Sequence, residues 1–140
     1  EQPITFFTVC TKNRRRVLAH PEIQRVLLDL WQKSGELDGW YVGRYVIMPD
    51  HIHFFARAAR DAKKMADWVK MFKSVSSRRI SAITNETGGL WQREYFDRYL
   101  RRADSYAEKW SYVVENPVRA GLVERADLWP FAGEIWRLEF

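Results

Sequence analysis

The chain has 140 residues and a mass of 16.7 kDa, with 46% hydrophobic and 29% charged residues. That length suits one domain over residues 1–140, and 7 Trp, 6 Tyr and 8 Phe supply more buriable area than a disordered chain carries. Lys and Arg outnumber Asp and Glu by 23 to 18, a formal charge of +5, which permits a polyanionic partner without requiring one.

Ile4–Cys10 is a short run rich in β-branched and aromatic residues, which predicts a buried strand with Cys10 as a core side chain. A single cysteine cannot form an intramolecular disulfide or a thiolate metal cage, so a reducing, cytoplasmic compartment is expected. Residues 11–16 form a basic loop, and His20 is expected to be structural. From Pro21, Ile23, Val26, Leu27, Leu30, Trp31, the small polar Ser34 and Leu37 repeat at three- and four-residue spacing, one helical stripe that Gly35 and Gly39 bring to its end. Two strands follow, 40–48 and His51–Ala58, joined by a tight turn at Pro49-Asp50.

A second helix is expected from about 61 to 83, with Met65, Trp68, Val69, Phe72, Val75 and Ile80 inward and Lys63, Lys64, Lys70, Lys73, Arg78 and Arg79 outward. After Thr87-Gly88-Gly89, residues 90–101 read as a loop entering a strand. Ser105 and Glu108 have capping-box spacing, opening a third helix that Asn116-Pro117 closes, and the tail from Gly121 is expected to wrap the surface. The order β α β β α β α predicts an α+β fold, a ferredoxin-like split βαβ antiparallel sheet with one additional C-terminal helix. No apolar run approaches the roughly 20 residues of a membrane span, and no signal peptide opens the chain, so no membrane partner is expected.

His51 and His53 stand two apart in a strand and point to one face, where they suit either a divalent metal or a satisfied surface. On the third helix Tyr106, Trp110, Val113 and Val114 form the buried stripe, while Tyr112 and Asn116 lie about 40° apart outside it. The pair is free for another task, or is a surface tyrosine beside a C-terminal Asn cap.

Three segments taken together carry a resemblance. Met48-Pro49-Asp50-His51-Ile52-His53-Phe54-Phe55 resembles the His-hydrophobic-His signature of HUH single-strand endonucleases, as found in REP-associated, IS200-like tyrosine transposases. Leu90-Trp91-Gln92-Arg93-Glu94-Tyr95-Phe96-Asp97 resembles their Trp-Gln-Arg segment, and residues 112–121, YVVENPVRAG, resemble their catalytic-helix motif. The matches fall in the family's order and span nearly the whole chain. One position departs: members often have Phe-Tyr-Asp-His where this chain has Tyr95-Phe96-Asp97-Arg98.

The resemblance implies that Tyr112 is the nucleophile and that His51, His53 and Asn116 hold a divalent ion, Mg²⁺ or Mn²⁺. It implies a metal-dependent single-stranded DNA endonuclease and strand transferase acting on REP-like hairpins through a 5′-phosphotyrosine, with a monomer favoured over a dimer. Tyr95 is the alternative nucleophile, and Asp50 either orients an imidazole or caps the turn. Candidate DNA contacts are Arg14, Arg15, Arg16, Lys70, Lys73, Arg78, Arg79, Arg101, Arg102 and Arg119, with Trp91 or Tyr99 either stacking on a base or packing in the core. These cations and the His-His-Asn-Tyr set are expected to share one surface. Two other readings use the same residues: a catalytically silent nucleic-acid-binding module on a ferredoxin-like sheet, and a hydrolase using water.

Overall fold

The computed structural model describes residues 2–139, so Glu1 and Phe140, the ends of the expected domain and tail, lie outside the described residues. Four strands, β1 (Ile4–Cys10), β2 (Trp40–Ile47), β3 (His51–Ala58) and β4 (Phe96–Leu100), pair antiparallel in the order β4-β1-β3-β2, the arrangement expected of a split βαβ sheet. Helices α1 (Pro21–Asp38) and α2 (Met65–Thr84) make the two crossovers. A helix α3 (Ala103–Val113) follows β4, then a single turn α4 (Asn116–Arg119).

Alternation along the strands divides the apolar residues into two cores. Phe7, Val9, Tyr45, Ile47, Ile52 and Phe54 face α1 and α2 and meet Ile23, Leu27, Trp31, Trp68, Val69 and Phe72 there. Aromatic stacking dominates this side: the Phe7 and Phe54 rings lie 4.9 Å apart, and the Trp40 and Trp68 rings lie 4.7 Å apart and 3° from parallel. Fully burying one such side chain stabilises by about 1.5–3 kcal/mol. The other face carries a smaller core in which Ile4, Phe6, Val46, Met48, Phe55 and Leu100 receive Tyr106 and Val113 of α3.

The ends of α1 follow simple chemistry. His20 is its N-cap, its Nδ1 accepting from the Glu22 amide at 3.2 Å, and Pro21 occupies the first turn. Gly39 ends the helix with φ +78°, where an added Cβ would sit 2.7 Å from Ala62 Cα.

Several expectations need correction. The second helix starts at Met65 rather than near 61, because the Lys63 amide is spent on the Asp38 carbonyl and Lys64 is the extended cap. No capping box forms at Ser105: Arg102 is the extended N-cap, and the Ser105 amide bonds its neighbour Asp104 instead. The connection from Leu100 to α3 is two residues long, so the helix starts before Ser105. It also stops at Val113, leaving the half-buried Val114 beyond its end and Asn116 on a separate turn with Pro117 buried. The tail does more than wrap the surface. Ala132–Glu134 forms β5, pairing antiparallel with β2 and closing that edge of the sheet.

Candidate active site

Cross-strand register decides what surrounds the two histidines. His53 pairs with Thr8 and His51 with Cys10, so all four side chains share the α3 face of the sheet. Cys10 is therefore not a core residue of the larger face; it is half-buried at the end of β1, its Sγ 3.6 Å from Arg14 Nη1. The two imidazoles meet edge to face with centroids 4.7 Å apart, and His53 stacks on Phe6 at 5.3 Å.

Each imidazole is held through Nδ1. Asp50 Oδ1 lies 2.7 Å from His51 Nδ1, and Thr8 Oγ1 lies 2.8 Å from His53 Nδ1. With the protons assigned to these bonds, both Nε2 lone pairs are left for a ligand. Burial lowers His51 below its ordinary value although Asp50 opposes the shift, and burial with the nearby charge of His51, Lys109 and Arg119 pushes His53 down to about 3. Both rings are therefore neutral at pH 7, the form that binds metal.

Of the two roles expected of Asp50, its side-chain bonds to His51 and Arg14 match the orienting one. Burial would raise it, yet its bonds to Arg14 and His51 hold it below the usual carboxylate value. Arg14 reaches it because Asn13 and Arg14 take left-handed backbone, φ 56° and 52°, folding the basic loop back over the end of β3. Arg14 Nε donates to Asp50 Oδ2 at 2.9 Å, and Nη2 lies 3.4 Å from His51 Nδ1.

On α3, Tyr106 and Trp110 anchor the helix against Phe55, with ring centroids at 4.9 and 6.2 Å. The Arg44 guanidinium stacks over both rings. This docking leaves Tyr112 61% exposed, and its hydroxyl makes no hydrogen bond among the described residues. The Arg119 guanidinium lies 3.8 Å above the Tyr112 ring, and its Nη2 donates to the Tyr112 carbonyl at 2.7 Å and to Asn116 Oδ1 at 3.1 Å. Lys109 Nζ sits 4.7 Å from the Phe6 ring and 5.9 Å from that of Tyr112, bridging helix and strand. Tyr112, Asn116 and Arg119 are thus one cluster, and the charges of Lys109 and Arg119 bear on His53. No hydrogen bond joins Tyr112 or Asn116 directly to either histidine among the described residues.

A cleft of about 750 Å³ between β4 and α3 is lined by Tyr112, the cations Arg98, Arg101, Arg102 and Lys109, and the acidic Glu108. Phe96, 52% exposed, projects on the same face as His53, edge-on to Phe6. Composition flagged Arg101 and Arg102 here but not Arg98, Lys109 or Phe96. The position where the family often has His holds Arg98, which points to this face with Phe6.

The remaining cations are scattered. Arg15 is ion-paired with Glu86 and donates to the Gly89 carbonyl at 2.6 Å, while Arg16 is exposed. Lys70, Lys73, Arg78 and Arg79 ride on α2, which packs on the opposite face of the sheet from the histidines, so the expected single surface does not form. Lys73 donates to the Arg93 carbonyl, burial lowering its pKa, and Arg79 pairs with Asp29 at 2.7 Å. Trp91 is a core residue whose Nε1 donates to Ser76 Oγ, whereas Tyr99 is 56% exposed. Tyr95 packs with Phe7 on the α1–α2 side, away from the histidines.

Two neutral imidazoles with oriented Nε2 atoms, plus an amide oxygen on the adjoining helix, fit a divalent ion whose other positions are taken by water or phosphate oxygens. No group of three or more His, Cys, Asp or Glu that could hold an ion occurs among the described residues, so the set lacks the carboxylates of a tight resident site. Among the described residues, no helix is long and apolar enough to cross a membrane.

The chain is similar to known proteins along most of its length. It is 25% identical over 132 residues to the REP-associated tyrosine transposase of Escherichia coli K12, covering 91% of this chain and 73% of that one. Its fold matches a solved REP-associated tyrosine transposase bound to a REP hairpin with a TM-score of 0.76 at 22% identity, over 94% of this chain and 76% of that one. A second solved structure, from Deinococcus radiodurans, matches with a TM-score of 0.60 at 23% identity, over 81% of this chain and 89% of that one. The profile of the family described as "Transposase IS200 like" matches residues 4–115, a span that holds His51, His53 and Tyr112 and stops one residue before Asn116. A profile that covers both the oriented histidine pair and the helix bearing the exposed tyrosine shows that the chain belongs to the IS200-like transposase family.

Proposed function

We propose that the chain is a metal-dependent, single-tyrosine DNA endonuclease and strand transferase that cuts single-stranded DNA beside a hairpin through a 5′-phosphotyrosine. The observation that carries this reading is the pairing of two neutral, oriented imidazoles with an exposed, unbonded Tyr112 hydroxyl on the helix docked over the same sheet face. Family membership supports the reaction class. The hairpin substrate rests on the relative solved with a REP hairpin.

In the reaction, Tyr112 Oη forms a bond to the scissile phosphorus as the bond from phosphorus to the 3′ oxygen breaks. The phenolic proton passes to solvent, and the leaving oxygen takes a proton to become a free 3′-OH. A 3′-OH can later attack the phosphotyrosine and rejoin strands, because the link keeps the energy of the original phosphodiester. A divalent ion held by His51, His53 and Asn116 would offset charge on the phosphate and orient it for in-line attack. Arg98, Arg101 and Arg102 line the cleft that leads to Tyr112 and would hold the strand's phosphates, with Phe96 offering a stacking face. The chain acts as a monomer in this reading, since α3 docks on its own sheet, over the face that carries the histidines.

Labelled hairpin DNA with a single-stranded flank, incubated with Mg²⁺ or Mn²⁺, should give a covalent adduct on a denaturing gel. Tyr112→Phe should abolish the adduct while leaving binding intact, and His51→Ala should abolish cleavage while sparing most affinity. Cleavage that survives Tyr112→Phe would mean hydrolysis by water. Binding without any adduct across a broad hairpin library would mean a silent binding module.

A further inference from the structure

One guanidinium engages both catalytic-helix candidates at once. Arg119 sits 3.8 Å from the centre of the Tyr112 ring, donates to the Tyr112 carbonyl, and donates to Asn116 Oδ1. That amide oxygen is the atom Asn116 would offer to a divalent ion. A guanidinium and a dication on the same oxygen repel each other, so the contact seen here opposes metal binding. Arg119 is solvent-exposed, so a DNA phosphate can reach it. A phosphate offers the planar fork a charged, bidentate acceptor in place of two neutral oxygens.

From this juxtaposition we infer that Arg119 is a positioning residue that acts as a substrate-released latch: it occupies Asn116 Oδ1 until a DNA phosphate takes its guanidinium, which frees the oxygen for the ion. DNA and metal then bind cooperatively, each raising affinity for the other by the same factor. The inference rests on the proposed function for the identity of ion and substrate. It goes beyond it in assigning Arg119 a role in the DNA-free state.

Removing Arg119 also removes a positive charge close to His53, which by itself would favour an ion. A double-mutant cycle separates the two effects. Mn²⁺ affinity is read by the electron paramagnetic resonance of free Mn²⁺ for the wild-type chain, Arg119→Met, Asn116→Ala and the double variant, all without DNA. Methionine keeps an apolar stem on the Tyr112 ring, and thermal melting checks that each variant is folded. Arg119→Lys is the second variant, keeping the charge while losing the fork.

Arg119→Met should bind Mn²⁺ about tenfold tighter than wild type, the strength of one charge-assisted hydrogen bond. Arg119→Lys should recover part of that gain, and in the Asn116→Ala background the gain should shrink to the part that loss of the charge near His53 supplies. Uncleaved hairpin DNA added to the Tyr112→Phe chain should raise its Mn²⁺ affinity about tenfold more than it raises that of Tyr112→Phe/Arg119→Met, where only the phosphate's own coordination of the ion remains. The latch is overturned if Arg119→Met binds no tighter than wild type, if the gain is as large without Asn116 as with it, if DNA raises the affinity no more with Arg119 than without it, or if no form binds Mn²⁺. A chain that gives the expected Mn²⁺ pattern yet never forms a covalent adduct would support the latch and remove the strand-transfer reading.

Discussion

Replacing Asp50 with Ala removes a carboxylate that holds two partners at once, His51 Nδ1 at 2.7 Å and Arg14 Nε at 2.9 Å. His51 and Asp50 keep only 15% and 17% of their side-chain surface exposed, so little water is at hand to replace the bond. A hydrogen bond to a charged acceptor contributes about 1.5–3 kcal/mol, and loss of such a partner behind a metal-binding histidine typically costs about 10–100-fold in affinity or activity. Two effects add in the same direction, because the variant frees the ring to rotate and leaves the Arg14 charge beside it without its counter-ion. The assay is single-turnover cleavage of a labelled hairpin across a Mn²⁺ titration, with DNA affinity measured in parallel. Asp50→Ala should need about 10–100-fold more Mn²⁺ for the same rate while binding DNA nearly as wild type. Asp50→Asn keeps an acceptor oxygen and should lie between the two. An unchanged Mn²⁺ dependence in Asp50→Ala would refute the orienting role, and an equal loss of DNA affinity and rate would make Asp50 part of the DNA-binding surface instead.

His53 is held neutral down to about pH 3, whereas in the unfolded chain it titrates near 6.5, so the unfolded state takes up the proton first as pH falls. Stability should therefore decline between about pH 6.5 and 3, by about 2 kcal/mol at pH 5, and urea melts of His53→Gln should lack this part of the loss; an identical decline in both proteins would sink the assignment. Gly39→Ala forces a side chain into left-handed backbone and within 2.7 Å of Ala62 Cα. It should cost about 2–4 kcal/mol and lower Tm by roughly 5–15 °C, and a Tm near wild type would show that the α1–β2 junction yields freely. Arg98→Glu with Arg101→Glu should flatten the salt dependence of single-strand binding by about 1.4 in log–log slope, two phosphate contacts' worth, and an unchanged slope would route the strand away from the cleft.

Much of this was legible from residues. Helical spacing in α1 and α2 and the β-branched and aromatic run of β1 reflect burial, which sequence patterning reports directly. The wheel that set Tyr112 off the buried stripe also holds, with Tyr106 and Val113 buried and Tyr112 exposed. What periodicity does not carry is register and sidedness. Thr8 orients His53 only because β1 and β3 pair with those two residues opposed, and nothing local to Thr8 announces it. The Lys and Arg of α2 are outward on their helix, but which side of the sheet that helix covers depends on the chain's path. β5 escaped notice because Ala132-Gly133-Glu134 has little intrinsic strand preference and pairs only because β2 offers an open edge. Arg14 looked like a free phosphate contact until two left-handed residues turned it back onto Asp50.

The stacked indoles of Trp40 and Trp68 belong to the larger core, away from the candidate site. Held 4.7 Å apart and within 3° of parallel, these two indole chromophores keep that geometry only while α2 is packed on the sheet, and lose it on unfolding. The pair lies in the α1–α2 core, across the sheet from the histidines and α3. Substitutions around Tyr112 and DNA added at the cleft leave that chromophore's surroundings untouched. The stacked pair is thus a mark of the folded larger core, set apart by one sheet from the site around the histidines and Tyr112.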